Sequence, residues 1–157
     1  MKRKRSLKRF LKYIYLKVIR INDSPEKIAK SIALGVFIGV FPTFGIGGIL
    51  ALILAKILRL NYIATVLGTF IMNYFTSPLF WSLSYFLGSL ILEGKIELKF
   101  LKEGEIKYFA LTYLIGNLVV SFLTALLSYF LTKKAVEKYK ERKRRGKKPL
   151  PLNKVIY

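Results

Sequence analysis

Apolar residues recur at spacings of three and four along the first stretch of the chain. Leu7, Phe10, Leu11, Ile14, Val18 and Ile21 share one face, with Lys8, Arg9, Lys12 and Lys17 between them. This pattern predicts an amphipathic helix over residues 2–21 with a basic polar face, suited to a membrane interface or to the protein's own surface. A helix start follows in "NDSPEK": Ser24 can cap, Pro25 suits the first position, and Glu26 complements the positive end of the dipole. The helix so begun runs through Ile28 to Phe41. Its strongly apolar part, Ser31 to Phe41, is about 16 Å long, roughly half of a hydrocarbon core about 30 Å thick.

The stretch "FPTFGIGG", Phe41 to Gly48, then interrupts the most apolar part of the chain with a proline and three glycines. A second apolar run of similar length, Ile46 to Ala55, ends at Lys56, Arg59 and Asn61. Two shapes fit 28–58: one long kinked helix, or a re-entrant hairpin that dips to mid-membrane and returns. Gly45, Gly47 and Gly48 permit a reversal, and the charges of Lys56 and Arg59 favour a return to the side of departure. The hairpin is the expected form.

The following segment repeats the design. Residues 35–55 laid over 68–88 match Gly35 with Gly68, Phe37 with Phe70, Ile38 with Ile71, Thr43 with Thr76, Leu50 with Leu83 and Leu54 with Leu87. Six identities in 21 positions are weak by themselves in so apolar a chain, but both copies are interrupted at the same place. The second interruption is "NYFTSP", Asn73 to Pro78. Paired broken apolar segments of this kind mark midplane binding sites in transporters.

A polar linker, "EGKIELKFLKEGE" (93–105), precedes 25 largely apolar residues, Tyr108 to Thr132, long enough to span a bilayer. A basic helix or tail follows, stopped by Gly146, Pro149 and Pro151. The predicted organisation is a basic interfacial helix over 1–23, one membrane domain over 24–132, and a basic cytoplasmic tail over 133–157. If both basic ends are cytoplasmic, the crossings are even in number. The expected fold is therefore an all-α integral membrane protein of the cytoplasmic (inner) membrane: re-entrant 28–58, a broken span 61–92, and one full transmembrane helix. The same fold with the two broken segments exchanged is the alternative.

Composition sharpens this picture. Of 28 Lys and Arg in 157 residues, eleven lie in 1–30 and eleven in 133–154, and only eight acidic residues offset them, for a net charge of +20. Mean hydropathy is nevertheless +0.40. Apolar middles with basic flanks point to a membrane whose anionic leaflet meets the ends. Cysteine and histidine are both absent, which removes thiol chemistry, the commonest metal ligand and the usual near-neutral acid–base group. No cluster of carboxylates takes their place, so catalysis, a metal and a cofactor are all unexpected. The basic ends would attract nucleic acid by charge alone, yet no recognition motif accompanies them, and no specific nucleic-acid partner is expected.

The order "SPEKIAKSIALGVFIGVFPTFG", "LRLN", "LGT", then Asn73, Thr76 and Pro78, then "YFLG" resembles the domain-of-unknown-function 2062 family of small prokaryotic membrane proteins, over about residues 10–132. The family commonly has proline directly after the asparagine, where this chain has Tyr74, which implies a gentler second break. The resemblance implies a cytoplasmic-membrane location and no particular activity.

Helix breaks in lipid free backbone groups that must find partners. Pro42, Thr43, Gly45, Asn73, Thr76, Ser77 and Pro78 surround the two breaks, with half-helices expected to start at Gly45 and Pro78. Their positive ends, together with Lys56 and Arg59 nearer the interface, form a candidate site for a phosphorylated lipid or small anion, bound or translocated. Two competing expectations stand beside it. Small residues such as Gly35-x-x-x-Gly39 and Ala51-x-x-x-Ala55 also serve close helix packing, and Asn117 is a candidate for a structural interhelical hydrogen bond. The chain can also be a non-catalytic scaffold or anchor, as a homo-oligomer or with a membrane-protein partner, holding anionic lipid headgroups through its basic ends.

Overall fold

Ser24 begins the first helix as its sequence context predicts: its hydroxyl accepts the Lys27 backbone N–H at 3.2 Å, and Pro25 occupies the first turn. The computed structural model describes residues 23–43, 45–73, 75–94 and 106–145, and they form five helices with no strand among them. Helix α1 spans Pro25–Val40, α2 Gly47–Ile57, α3 Tyr62–Thr69, α4 Ser77–Glu93 and α5 Ile106–Arg144. The helix expected over 2–21, residues 95–105 of the linker expected over 93–105, and the stop at Gly146, Pro149 and Pro151 lie outside the described residues, whereas Glu93 and Gly94 close α4.

The first break reverses the chain. Gly45 has φ +92°, a left-handed conformation that side chains rarely adopt, and the Ile46 N–H donates to the Thr43 carbonyl at 3.1 Å. Helix α2 therefore starts at Gly47, two residues later than expected, and runs back against α1. Ala51 and Ala55, the small pair read from the sequence, are its buried residues. The helix closes with the Leu60 N–H on the Ala55 carbonyl at 2.8 Å, which puts Arg59 at φ +53° in a position usually given to glycine.

Asn61 closes the hairpin. Its backbone N–H donates to Ser31 Oγ at 2.9 Å, and its side-chain amide donates to Asp23 Oδ2 at 2.6 Å. Its Oδ1 accepts the Ala64 N–H at 3.0 Å and so caps α3. The chain that left Asp23 along α1 has come back to Asp23. One long kinked helix over 28–58 is thus excluded.

Helix α3 runs beside α1 in the same direction, because Ser31 meets Asn61, Gly35 meets Thr65 and Gly39 meets Thr69. The backbones touch. A Cβ on Gly35 would fall 1.9 Å from the Thr65 carbonyl oxygen, and one on Gly68 would fall 2.5 Å from that of Ile32. Gly35 and Gly68, the first pair matched by the internal repeat, are therefore direct neighbours. Helix α4 packs antiparallel to α5 by the same device: a Cβ on Gly116 would fall 1.7 Å from the Ser84 carbonyl oxygen, and one on Gly88 1.9 Å from that of Thr112.

Helix α5 is antiparallel to α1. Val136 packs with Ile28 at one end, and Val120 and Ala125 pack with Val36 and Val40 further along. The expected boundary between Thr132 and Lys133 falls inside this unbroken helix. Beyond it Val136 is fully buried, and the Lys140 ammonium donates to the Asp23 carbonyl. The interior combines the branched side chains of Ile28, Val36, Ile38, Val40, Val120 and Val136 with alanines and hydroxyls, while large apolar side chains such as Ile49, Phe75, Phe122 and Leu127 face outward.

Candidate functional site

Val40 is the last residue of α1, where the closing carbonyls of a helix need partners from elsewhere. The partner comes from the middle of α5. The Asn117 side-chain amide, fully buried, donates to the Val40 carbonyl at 3.2 Å and to Ser84 Oγ of α4 at 3.2 Å, and lies 3.4 Å from the Tyr113 hydroxyl. Its Oδ1 accepts the Ser121 hydroxyl at 3.1 Å. One amide thus joins α1, α4 and α5 at the level where the hairpin turns.

The second break satisfies itself. Thr76 Oγ1 donates to the Ile71 carbonyl at 2.7 Å and accepts the Asn73 N–H at 2.9 Å. Asn73 Oδ1 accepts the Phe75 N–H at 3.0 Å, and the Ser77 hydroxyl donates to the Asn73 carbonyl at 2.7 Å. Helix α4 starts at Ser77, one residue before the expected Pro78. Asn73, Thr76 and Ser77 therefore spend their hydrogen bonds within their own turn rather than across to the first break.

What the two breaks share is a cavity. A groove of about 660 Å³ is floored by Phe41, Pro42 and Thr43 at the hairpin apex, with Met72, the residue just before the second break, beside them. Its walls are Trp81 and Tyr85 of α4 and Phe109, Tyr113 and Leu114 of α5. Tyr85 and Phe109 stack at 4.9 Å between centroids. No lining residue is charged. Of the residues singled out from sequence, Pro42 and Thr43 line this groove, whereas Gly45, Asn73, Thr76, Ser77 and Pro78 do not. Lys56 and Arg59 stand exposed at the far end of α2, about 14 Å or more along the helix from Gly47. The aromatic wall had no distinct signal in a chain with this many Phe and Tyr; only the three-dimensional pairing of α4 with α5 gathers it.

Charge collects at the opposite end. The start of α1, the end of α2, the start of α3 and the end of α5 lie together there, bringing Lys27, Lys30, Lys56, Arg59 and the basic residues of 133–145 to one pole. Asp23 sits within this pole, and the Asn61 amide donating to it holds its carboxyl below the ordinary range, helped by Lys27 at 3.2 Å. Glu26 pairs with Lys30 at 2.7 Å.

The profile of a family described as "Uncharacterized protein conserved in bacteria (DUF2062)" matches residues 8–145. The chain belongs to this family. The match takes in all five helices of the described residues of this DUF2062 protein, from the capped start of α1 to the basic end of α5. No curated protein and no solved structure matches the chain. One helix among the described residues, Ile106–Arg144, is long and apolar enough to cross a membrane, and Gly47–Ile57 and Ser77–Leu92 are shorter apolar helices.

Proposed function

We propose that this DUF2062 protein is a non-catalytic, multi-pass protein of the cytoplasmic membrane that binds a phosphorylated lipid, with the lipid's hydrocarbon in the groove above the hairpin apex. In this topology the basic pole and both termini are cytoplasmic. Helices α1 and α2 form a re-entrant hairpin entering from that side, α3 and α4 together make one crossing, and α5 makes the other. The outward-facing large apolar side chains support a lipid surround, since a water-facing protein rarely exposes so continuous an apolar surface.

The uncharged aromatic groove carries the functional reading. Its volume falls within the range of about 300–1,000 Å³ typical of small-molecule sites. Its chemistry suits an apolar chain better than a free anion, whereas Lys56, Arg59 and the basic end of α5, at the opposite pole, would meet a separate set of anionic headgroups in the other leaflet. Binding is favoured over translocation. Between the polar cluster at Asn117 and the one at Asn61 the interior is closed by Val36, Val120 and Ala125, a poor route for a charged headgroup.

Photoactivatable phospholipid cross-linked to the purified protein in nanodiscs tests this. The adduct is expected on peptides containing Trp81 or Tyr113, and is expected to be lost in Trp81→Ala and Tyr113→Leu. Adducts spread evenly over α2 and α5, unchanged by either substitution, would refute it.

A further inference from the structure

Helices α1, α2 and α3 are confined to the basic side of the level marked by Val40 and Asn117. Gly39 of α1 stands against Thr69 at the end of α3, and α2 begins at Gly47. Beyond that level only α4 and α5 continue, held together by Gly88 against Thr112. The groove is the notch this leaves, with Pro42 and Thr43 as its floor. From Asn117 to the far end of α5 at Ile106 is about 16 Å of helix. One leaflet of a hydrocarbon core about 30 Å thick measures about 15 Å. The notch therefore has the depth of a single monolayer.

Resting on the membrane reading above, we infer that the groove admits lipid from one leaflet only: an acyl chain of a phospholipid in the leaflet opposite the basic pole, standing with its methyl end on the Pro42–Thr43 floor. A chain from the basic-side leaflet meets the packed bodies of α1, α2 and α3 before reaching the groove. The uncharged lining matches a methylene chain along its length, and the floor stops it after one monolayer. A second copy of the protein seated in the notch is the rival occupant.

Trp81 is the sole tryptophan of the chain and lines the groove, so it reports occupancy directly. The protein is reconstituted, in one orientation, into asymmetric vesicles in which phospholipid brominated near the chain terminus is confined to one leaflet. The expected result is strong quenching of Trp81 from the leaflet opposite the basic pole and weaker quenching from the basic-side leaflet. Ala110→Phe, which fills the groove, is expected to abolish that excess, whereas Leu118→Phe on the outer surface of α5 preserves it. Equal quenching from the two leaflets, or greater quenching from the basic side, would overturn the sidedness while leaving lipid binding intact. An excess that survives Ala110→Phe, or a dimer in nanodiscs whose dissociation is needed for quenching, would also overturn it. Absence of quenching from both leaflets would instead refute lipid occupancy of the groove, the reading on which the sidedness rests.

Discussion

The Asn117 side-chain amide donates to the carbonyl of Val40 at 3.2 Å, tying the middle of α5 to the residue at which α1 ends. The contact spans 77 positions of sequence, and the same amide also donates to Ser84 Oγ. Asn117→Leu leaves the Val40 carbonyl and Ser84 without this donor in a buried place. The expected loss is about 1–2 kcal/mol, read as a lowered Tm in detergent. Asn73→Ala acts on an exposed turn and is expected to lower Tm less. Equal losses from the two would argue that Asn117 is not the joint described here.

Glycines at the two helix crossings tolerate nothing larger. Gly116→Ala and Gly35→Ala each drive a methyl into a backbone carbonyl and are expected to destabilise by about 1–3 kcal/mol as the helices move apart. Gly48→Ala meets nothing within 4 Å and is expected to be neutral or stabilising. Chemical or thermal unfolding of the three variants in one detergent ranks them.

Asp23 gives the basic pole a pH dependence of defined sign. Its folded carboxyl is held below the unfolded value, chiefly by the Asn61 amide, so its stabilisation is complete above about pH 4 and is lost as pH falls through the folded value. The Tm difference between the native protein and Asp23→Asn is expected to be constant from neutral pH to about pH 5 and to shrink below about pH 4. A difference that grows on acidification would contradict the assignment.

Arg59 occupies the left-handed position that ends α2, where glycine is the unstrained choice. Arg59→Gly is expected to raise stability by about 1 kcal/mol or less, since it removes a Cβ from a disfavoured conformation. The same change is expected to weaken binding to vesicles containing anionic lipid, measured by flotation against neutral vesicles. Lower Tm with unchanged flotation would show the reverse division of roles.

Much of this architecture is legible in the chain because its signals are local. The cap at Ser24, the Pro42–Gly48 reversal and the small pair Ala51 and Ala55 each state their structure within a few residues. The repeat goes further, since Gly35 and Gly68 prove to be in contact. It misleads in one respect: the matching interruptions do different things. The first has Gly45 to turn the chain back, whereas the second is a self-bonded turn at Asn73 and Thr76 after which α4 rises in the same sense as α3. The breaks therefore do not face each other through their polar groups. What they share is the aromatic groove, which depends on how α4 lies against α5 and which no spacing rule reveals. The basic stretch after Thr132 reads as a tail by charge, yet Val136 and Lys140 join the packed unit, because an apolar residue and a long amine at helical spacing suffice to hold α5 against α1.

The account stands on the return of the chain from Gly45 to the level of Asp23, and the cysteine-free sequence allows a direct test. Single cysteines at Arg59, Lys138 and Lys107 are labelled with a membrane-impermeant maleimide in sealed, oriented vesicles. The predicted result is that Arg59→Cys and Lys138→Cys react from the same side and Lys107→Cys from the other. Labelling of Arg59→Cys together with Lys107→Cys, on the side opposite Lys138→Cys, would contradict the hairpin and with it the groove it floors.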